Sequence, residues 1–235
     1  ERAWAEAQER GGVLGGAVEF QNAFKDTGVK PIIGTETYIS PTTRTDRRPE
    51  VPHIKGYHLI LLAENNEGYE NLCKVISEAH TNGFYYKPRV DKEFLAAHHK
   101  GLIALSACIQ GEVANKALHE NYAAARKALQ DYVDIFGKEN FFLEVMDHGM
   151  EEQKTINREF IKLSRETGIP LVATNDVHYL KKEHARPHDL MLCIQTHATY
   201  EEARRMRMSS NEFYFKNADE MKAIFHEIPE AVTNT

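Results

Sequence analysis

Asp176 and His178 close the stretch Pro170-Leu-Val-Ala-Thr-Asn-Asp-Val-His178, in which an apolar run from Leu171 to Ala173 gives way to polar Thr174-Asn175. Such a run reads as a buried strand, and in extended chain residues at i and i+2 point the same way. A carboxylate and an imidazole are thus expected to converge just past a strand end, where α/β proteins place metal and phosphate sites. Gly101-Leu-Ile-Ala-Leu-Ser-Ala-Cys108 ends another apolar strand on a thiol. A lone cysteine there is ordinarily core, but the parallel with Asp176 and His178 makes Cys108 a second candidate for the same pocket. Glu36 is the odd charge in the β-type run Thr35-Glu-Thr-Tyr-Ile39, either a solvated strand acid or a ligand. His58 opens the strand Tyr57–Ala63, at the end where a strictly parallel barrel puts no chemistry. An antiparallel return after the loop of residues 40–56 would bring it back beside Glu36. Phe141-Phe-Leu-Glu-Val-Met-Asp-His148 repeats the design, with Glu144 out of the apolar register and Asp147 and His148 at the end.

Carboxylate, imidazole and thiolate donors from separate strands suit divalent transition metals, zinc foremost, with manganese or iron as alternatives. Such a centre polarises a phosphoryl oxygen and lowers the pKa of bound water, which is phosphoester-hydrolysing chemistry. The sequence carries no nucleotide-binding glycine loop, no GxSxG elbow and no CxxC zinc knuckle.

The elements that must position these residues alternate between strand and helix from Pro31 to Gln195, which predicts an α/β fold with a mostly parallel sheet or barrel. Helices are expected over Glu1–Arg10 and Ala17–Asp26, the second with Val18, Phe20 and Phe24 on its core side. Others follow Asn65-Asn66 as a cap, begin near Glu112, and run over Tyr122–Phe136, Glu151–Glu166 and Lys181–Gln195. Cys73 falls on an apolar helix face and reads as core, and His98-His99 as solvated. Asn82-Gly-Phe-Tyr-Tyr-Lys-Pro-Arg-Val90 is aromatic and basic, with Pro88 forbidding a central strand; it reads equally as a ligand-facing loop or as loop packing. Beyond residue 205 the rhythm breaks into a short β-like run, Phe213–Phe215, and a short helix from Asp219 to Phe225. Pro229–Thr235 opens like a capped helix without a body, so the chain is expected to be a piece of a longer protein.

With 235 residues, 42% hydrophobic and 27% charged, the composition is that of a globular protein with a sizeable core. No apolar run approaches the ~20 residues of a membrane helix. Three well-separated cysteines favour a reducing cytoplasmic compartment over a disulfide framework. The net charge of −6 lacks the basic footprint of a chain that grips DNA alone; the one dense basic cluster is Arg44, Arg47 and Arg48 in a loop.

Several runs in series, namely Gly16-Ala-Val-Glu-Phe20, Val29–Glu36, His58–Ala63, Gly68–Leu72, Gly83–Arg89, Gly101–Cys108, Ala173–Tyr179 and Asn211–Tyr214, together resemble one family. It is the PHP (polymerase and histidinol phosphatase) domain of bacterial replicative DNA polymerase III alpha subunits. The resemblance implies a distorted (β/α)7-type barrel, incomplete at its N-terminal end, over residues 1–205, with residues 206–235 starting a connection toward a polymerase core. It also implies metal ligands at Glu36, His58, Cys108, Asp176 and His178, with Glu144 and His148 as neighbours. Zn2+ is the expected ion, with Mn2+ or Mg2+ as alternatives and incomplete occupancy. The family opens with a His-x-His pair, absent before Gly16 here, and its following Asp-His pair falls in register with Arg10-Gly11. A full trinuclear site is therefore not expected.

Some members of the family are metal-dependent 3′→5′ proofreading exonucleases. Others are scaffolds that stabilise the polymerase and dock a separate exonuclease subunit. The implied partners are DNA, through a parent polymerase, and other replicase subunits. A stand-alone PHP phosphatase acting on a small phosphate ester is the third reading.

Overall fold

The computed structural model describes residues 14–48 and 56–235. The helix expected over Glu1–Arg10, the Arg10-Gly11 register and part of the 40–56 loop lie outside the described residues. Strand β1 (Gly34–Ile39) and strand β2 (Tyr57–Ala63) form an antiparallel pair, with Tyr38 opposite His58 and Glu36 opposite Ile60. Both alternate with a period of two. Thr35, Thr37, Ile39, Tyr57, Leu59 and Leu61 are buried on one face, whereas Gly34, Glu36, His58, Ile60 and Leu62 line a cleft on the other. Helix α2 (Asn66–Thr81) is capped by the Asn65 side chain and buries Leu72, Val75 and Ala79 in the core.

Three parallel strands extend the sheet beyond β2. Strand β4 (Leu102–Leu105) runs antiparallel to β2, while β5 (Phe141–Val145) and β6 (Leu171–Ala173) each run parallel to the strand before. The two-residue strand β3 (Arg89–Val90) follows Pro88 and pairs with β1 at the opposite edge, the position a proline permits. The order is β3-β1-β2-β4-β5-β6, a mixed sheet that is mostly parallel as expected, with β2 alone running against the other five strands. The reversal at β2 arises because β1 and β2 are consecutive strands and pair directly without a crossover helix. Between β4 and β6 the expected crossovers are present: α4 (Glu112–His119), α5 (Tyr122–Phe136, closed by Gly137 at φ 83) and α6 (Glu151–Thr167). Leu129, Tyr132, Phe136, Ile156, Phe160 and Leu163 pack from these helices onto Phe141, Leu143 and Val145.

Two expectations fail locally. Helix α1 (Ala17–Ala23) has no buried residue, and Val18 is 64% exposed, so its apolar residues do not face the core. Instead Ala17 and Phe20 form one wall of the cleft. The Phe213–Phe215 run makes a single parallel bridge, Tyr214 to Tyr179, and no strand. The remaining chain turns through a 3₁₀ segment (Lys182–His184) into α7 (Ala185–Thr196), then α8 (Ala218–Ile224) and α9 (Pro229–Thr233). After α9, Asn234 Nδ2 donates to the Leu171 carbonyl at 2.8 Å and the Thr235 hydroxyl to that of Ala173 at 3.1 Å, along β6.

The connection from β1 to β2 is pinned by a charged anchor. Arg44 donates to Asp91 from its backbone N–H at 2.8 Å and from its guanidinium at 3.0 Å, and its Nε reaches Glu78 at 2.5 Å. Asp91 also caps helix α3 (Lys92–Ala97), accepting from the Phe94 N–H at 3.0 Å. Burial would raise the Asp91 carboxyl, but these backbone and guanidinium donors outweigh it and hold the group below the usual carboxylate range. A depressed native pKa stabilises fully above the unfolded value of about 3.9 and loses that stabilisation as pH falls through the native value. Asp91→Asn keeps a capping oxygen while removing the charge. It should cost roughly 1.5–3 kcal/mol at neutral pH, and the gap from wild type should close below about pH 4. Urea unfolding across pH checks this; a gap independent of pH would show that Asp91 is not held as an anion.

Candidate metal centre

Glu36 sits third of six residues in β1, not at the strand's end, and projects from the cleft face together with Tyr38. Because β2 returns antiparallel, its first residues lie beside the C-terminal half of β1. This answers the difficulty posed by a histidine at a strand start. His58 Nδ1 lies 3.2 Å from Glu36 Oε1, and the edge of the His58 ring meets Tyr38 at a centroid distance of 5.0 Å.

Cys108 comes from the turn after β4, which is clipped to β2. The His58 N–H donates to the Gln110 carbonyl at 3.0 Å, and the Gly111 N–H closes the turn onto the Cys108 carbonyl at 2.8 Å. Gly111 is required there, since a Cβ would stand 2.0 Å from the Ser106 carbonyl oxygen. Ala107 adopts φ 62, a left-handed conformation that an alanine takes only at a cost, and this aims the following residue inward. The result is Cys108 Sγ 3.7 Å from His58 Nδ1, with one donor atom each from Glu36, His58 and Cys108 all within 4.8 Å of one another.

Asp176 and His178 border the same cleft without joining that tight group. They do converge, with His178 Nε2 3.5 Å from Asp176 Oδ1, but not by extended backbone, because Asp176 has φ 30. The turn is held from outside. The His178 N–H donates to the Phe213 carbonyl at 2.8 Å, and Asn175 donates to the Tyr214 carbonyl and accepts from Lys216 at 3.2 Å. His148 belongs to this support. It stacks on Phe213 at 4.2 Å, accepts at Nδ1 from Gln153 at 2.8 Å, and therefore carries its proton on Nε2, which donates to the Asn175 carbonyl at 3.0 Å. With both ring nitrogens used, His148 positions the turn instead of facing the cleft.

The electrostatics suit a cation. Burial pushes the Cys108 thiol well above its ordinary range, and the Asp176 and Glu36 carboxylates push it further. A divalent ion beside the sulfur reverses that balance and favours thiolate. Burial also opposes ionisation of Asp176, yet His178, His148 and His58 bring its pKa below the usual value. Glu144 is buried beneath, its carboxyl pushed up to about 7 by burial, with the Thr174 hydroxyl opposing the rise and Asp176 and Glu36 adding to it. One carboxylate, one imidazole and one thiol from three segments, on a cleft of about 320 Å³, are a donor set that fits zinc and tolerates other divalent ions. Tyr38 and Gln110 went unnoticed in the sequence; the two-residue spacing from Glu36 was the signal for Tyr38, and nothing local marked Gln110.

Glu36, His58 and Cys108 thus give an α/β domain three donors placed to hold a metal ion. Residues 10–148, more than half of the chain, match the PHP domain family model, and the chain belongs to that family. It is 42% identical over 224 residues to the DNA polymerase III subunit alpha of Treponema pallidum, covering 95% of this chain and 19% of that protein. The corresponding subunit of Deinococcus radiodurans is 45% identical over 214 residues (90% and 16%), and that of Thermus aquaticus 43% over 217 (92% and 18%). The chain thus spans less than a fifth of the length of these relatives. Among the described residues no helix is long and apolar enough to cross a membrane.

Cys108→Ala is expected to stay folded, with a stability change of roughly 1 kcal/mol, while binding Zn2+ more weakly than wild type in competition with a chromophoric chelator. Unchanged affinity in the folded variant would remove Cys108 from the site.

Proposed function

We propose that this chain is a divalent-metal phosphoesterase unit of a bacterial replicative polymerase alpha subunit, acting on DNA 3′ ends as a proofreading exonuclease. The convergence of Glu36, His58 and Cys108 within 4.8 Å, on a cleft that Asp176 and His178 also border, carries this reading. The five residues are its ligand set, Zn2+ the preferred ion and Mn2+ or Mg2+ the alternatives. When bound, such an ion supplies Lewis acidity toward a phosphoryl oxygen and a water that ionises near neutral pH. The protein's own part is to hold that place and shape the cleft. The Glu36–His58 contact fixes the imidazole, and Tyr38 braces its ring. Phe20, Ile32 and Ile33 give an apolar wall against which a sugar or base can rest. Without a cation, Glu36 and Asp176 would repel a phosphate, so turnover should require metal. In this reading the six-strand sheet is part of a distorted (β/α)7-type barrel, residues 206–235 begin the connection toward a polymerase core, and the parent protein works in the cytoplasm on DNA with other replicase subunits.

A second reading, a scaffold that docks a separate exonuclease subunit, is favoured by one observation: the family's Asp-His register falls on Arg10-Gly11. Metal content distinguishes the two. Protein purified without chelator should carry roughly one Zn2+ or Mn2+ per chain by plasma mass spectrometry. The full-length parent should also remove mismatched 3′ nucleotides in a chelator-sensitive way. Absence of metal together with chelator-insensitive 3′ ends would abandon the exonuclease in favour of the scaffold.

A further inference from the structure

Glu144 is a buried acid to which the metal-centre reading gives no task. It lies on β5, flanked by β4 and β6, and is only 5% exposed. Its backbone N–H donates to the Ser106 hydroxyl at 2.8 Å, on the turn that leads to Cys108. Its Oε1 accepts from the Thr174 hydroxyl at 2.6 Å, on the turn that leads to Asp176 and His178. Its other oxygen, Oε2, is buried without a close hydrogen-bond partner among the described residues, although the Ala107 backbone N–H also acts on the carboxyl. With Ala107, Cys108 and Ile109, Glu144 lines a narrow crevice under the Cys108 turn.

A merely structural side chain would not be built this way. Leucine would fill the same space without desolvating an acid, and a core acid retained for packing would be expected to have both oxygens paired. Among the described residues the Thr174 side chain makes no other hydrogen bond, so the carboxyl is what sets its rotamer, two residues before a backbone held at φ 30. We propose that Glu144 is a positioning residue of the metal centre: through the Thr174 hydroxyl it fixes the turn that presents Asp176 and His178 opposite Cys108. The proposal rests on the metal-centre reading above. It assigns to Glu144 the work that outer partners do at metal sites, orienting the groups that touch the ion.

Cobalt titration of the full chain separates this role from a packing role. Thr174→Val and Glu144→Leu should each lower Co2+ affinity about 10–100-fold, the range seen when outer partners are lost. Both should alter the cobalt d–d bands while keeping the thiolate-to-cobalt charge-transfer band, because Cys108 lies on the other turn. Glu144→Gln, whose amide oxygen can still accept from Thr174, should bind close to wild type. Wild-type affinity in folded Thr174→Val overturns the proposal even if Glu144→Leu fails to fold. So does a loss in Glu144→Gln as large as in Glu144→Leu, which would mean charge and not position matters. If the wild-type chain takes up no Co2+, the metal-centre reading falls and this role with it; if it binds but the variants bind equally, only the role of Glu144 falls.

Discussion

Backbone hydrogen bonding between β1 and β2 sets Tyr38 opposite His58, and this register places a histidine from one strand beside a glutamate from the other. Strand side chains alternate between faces, so a slip of one residue would turn His58 into the core and bring Tyr57, Leu59 and Leu61 out to the cleft. The apolar faces therefore specify the site. Burying Thr37, Ile39, Leu59 and Leu61 against the helices leaves Glu36 and His58 no direction except the cleft. The Arg44–Asp91–Glu78 anchor then holds the start of the connection, and the Gly111 turn clips Cys108 to the start of β2.

What is assembled there is electrostatically unfavourable by itself. Glu36, Asp176 and Glu144 all raise the Cys108 thiol, and Asp176 and Glu36 raise Glu144 in turn. Two non-glycine residues, Ala107 and Asp176, adopt positive φ in the turns that deliver the ligands. Concentrated like charge and backbone strain in one cleft, with good alternation and capping elsewhere, is the pattern of a chain that departs from local preference where a ligand will offset the cost.

Much of this was legible beforehand because it was written in periodicity. Leu171–Ala173, Tyr122–Phe136 and the Asn65 cap fall where apolar spacing and capping chemistry put them. The antiparallel return was legible only as a condition, since strand direction depends on which strand pairs with which, and that is a long-range choice. The sidedness of α1 misled because Phe20 and Phe24, four apart, have helical spacing while Val18 lies off their face, and spacing does not say whether the facing surface is a core or a cleft. Asp176 and His178 were rightly joined for an inexact reason: a turn held by Phe213, Asn175 and His148 does what an extended strand was expected to do. No local pattern could reveal those long-range supports.

The support from Phe213 has a consequence for what counts as the site. The stretch matched by the family model ends at residue 148, yet the backbone of His178 hangs from Phe213, and Asn175 is tied to Tyr214 and Lys216. The far wall of the cleft is thus moored to a strap downstream, which continues into α8 and α9 and returns along β6. Tension applied to residues after Lys216 has a short load path of hydrogen bonds and one edge-on ring contact, from Phe213, to the imidazole of His178. A chain cut ahead of Phe213 would keep Glu36, His58 and Cys108 but let their opposite shore drift.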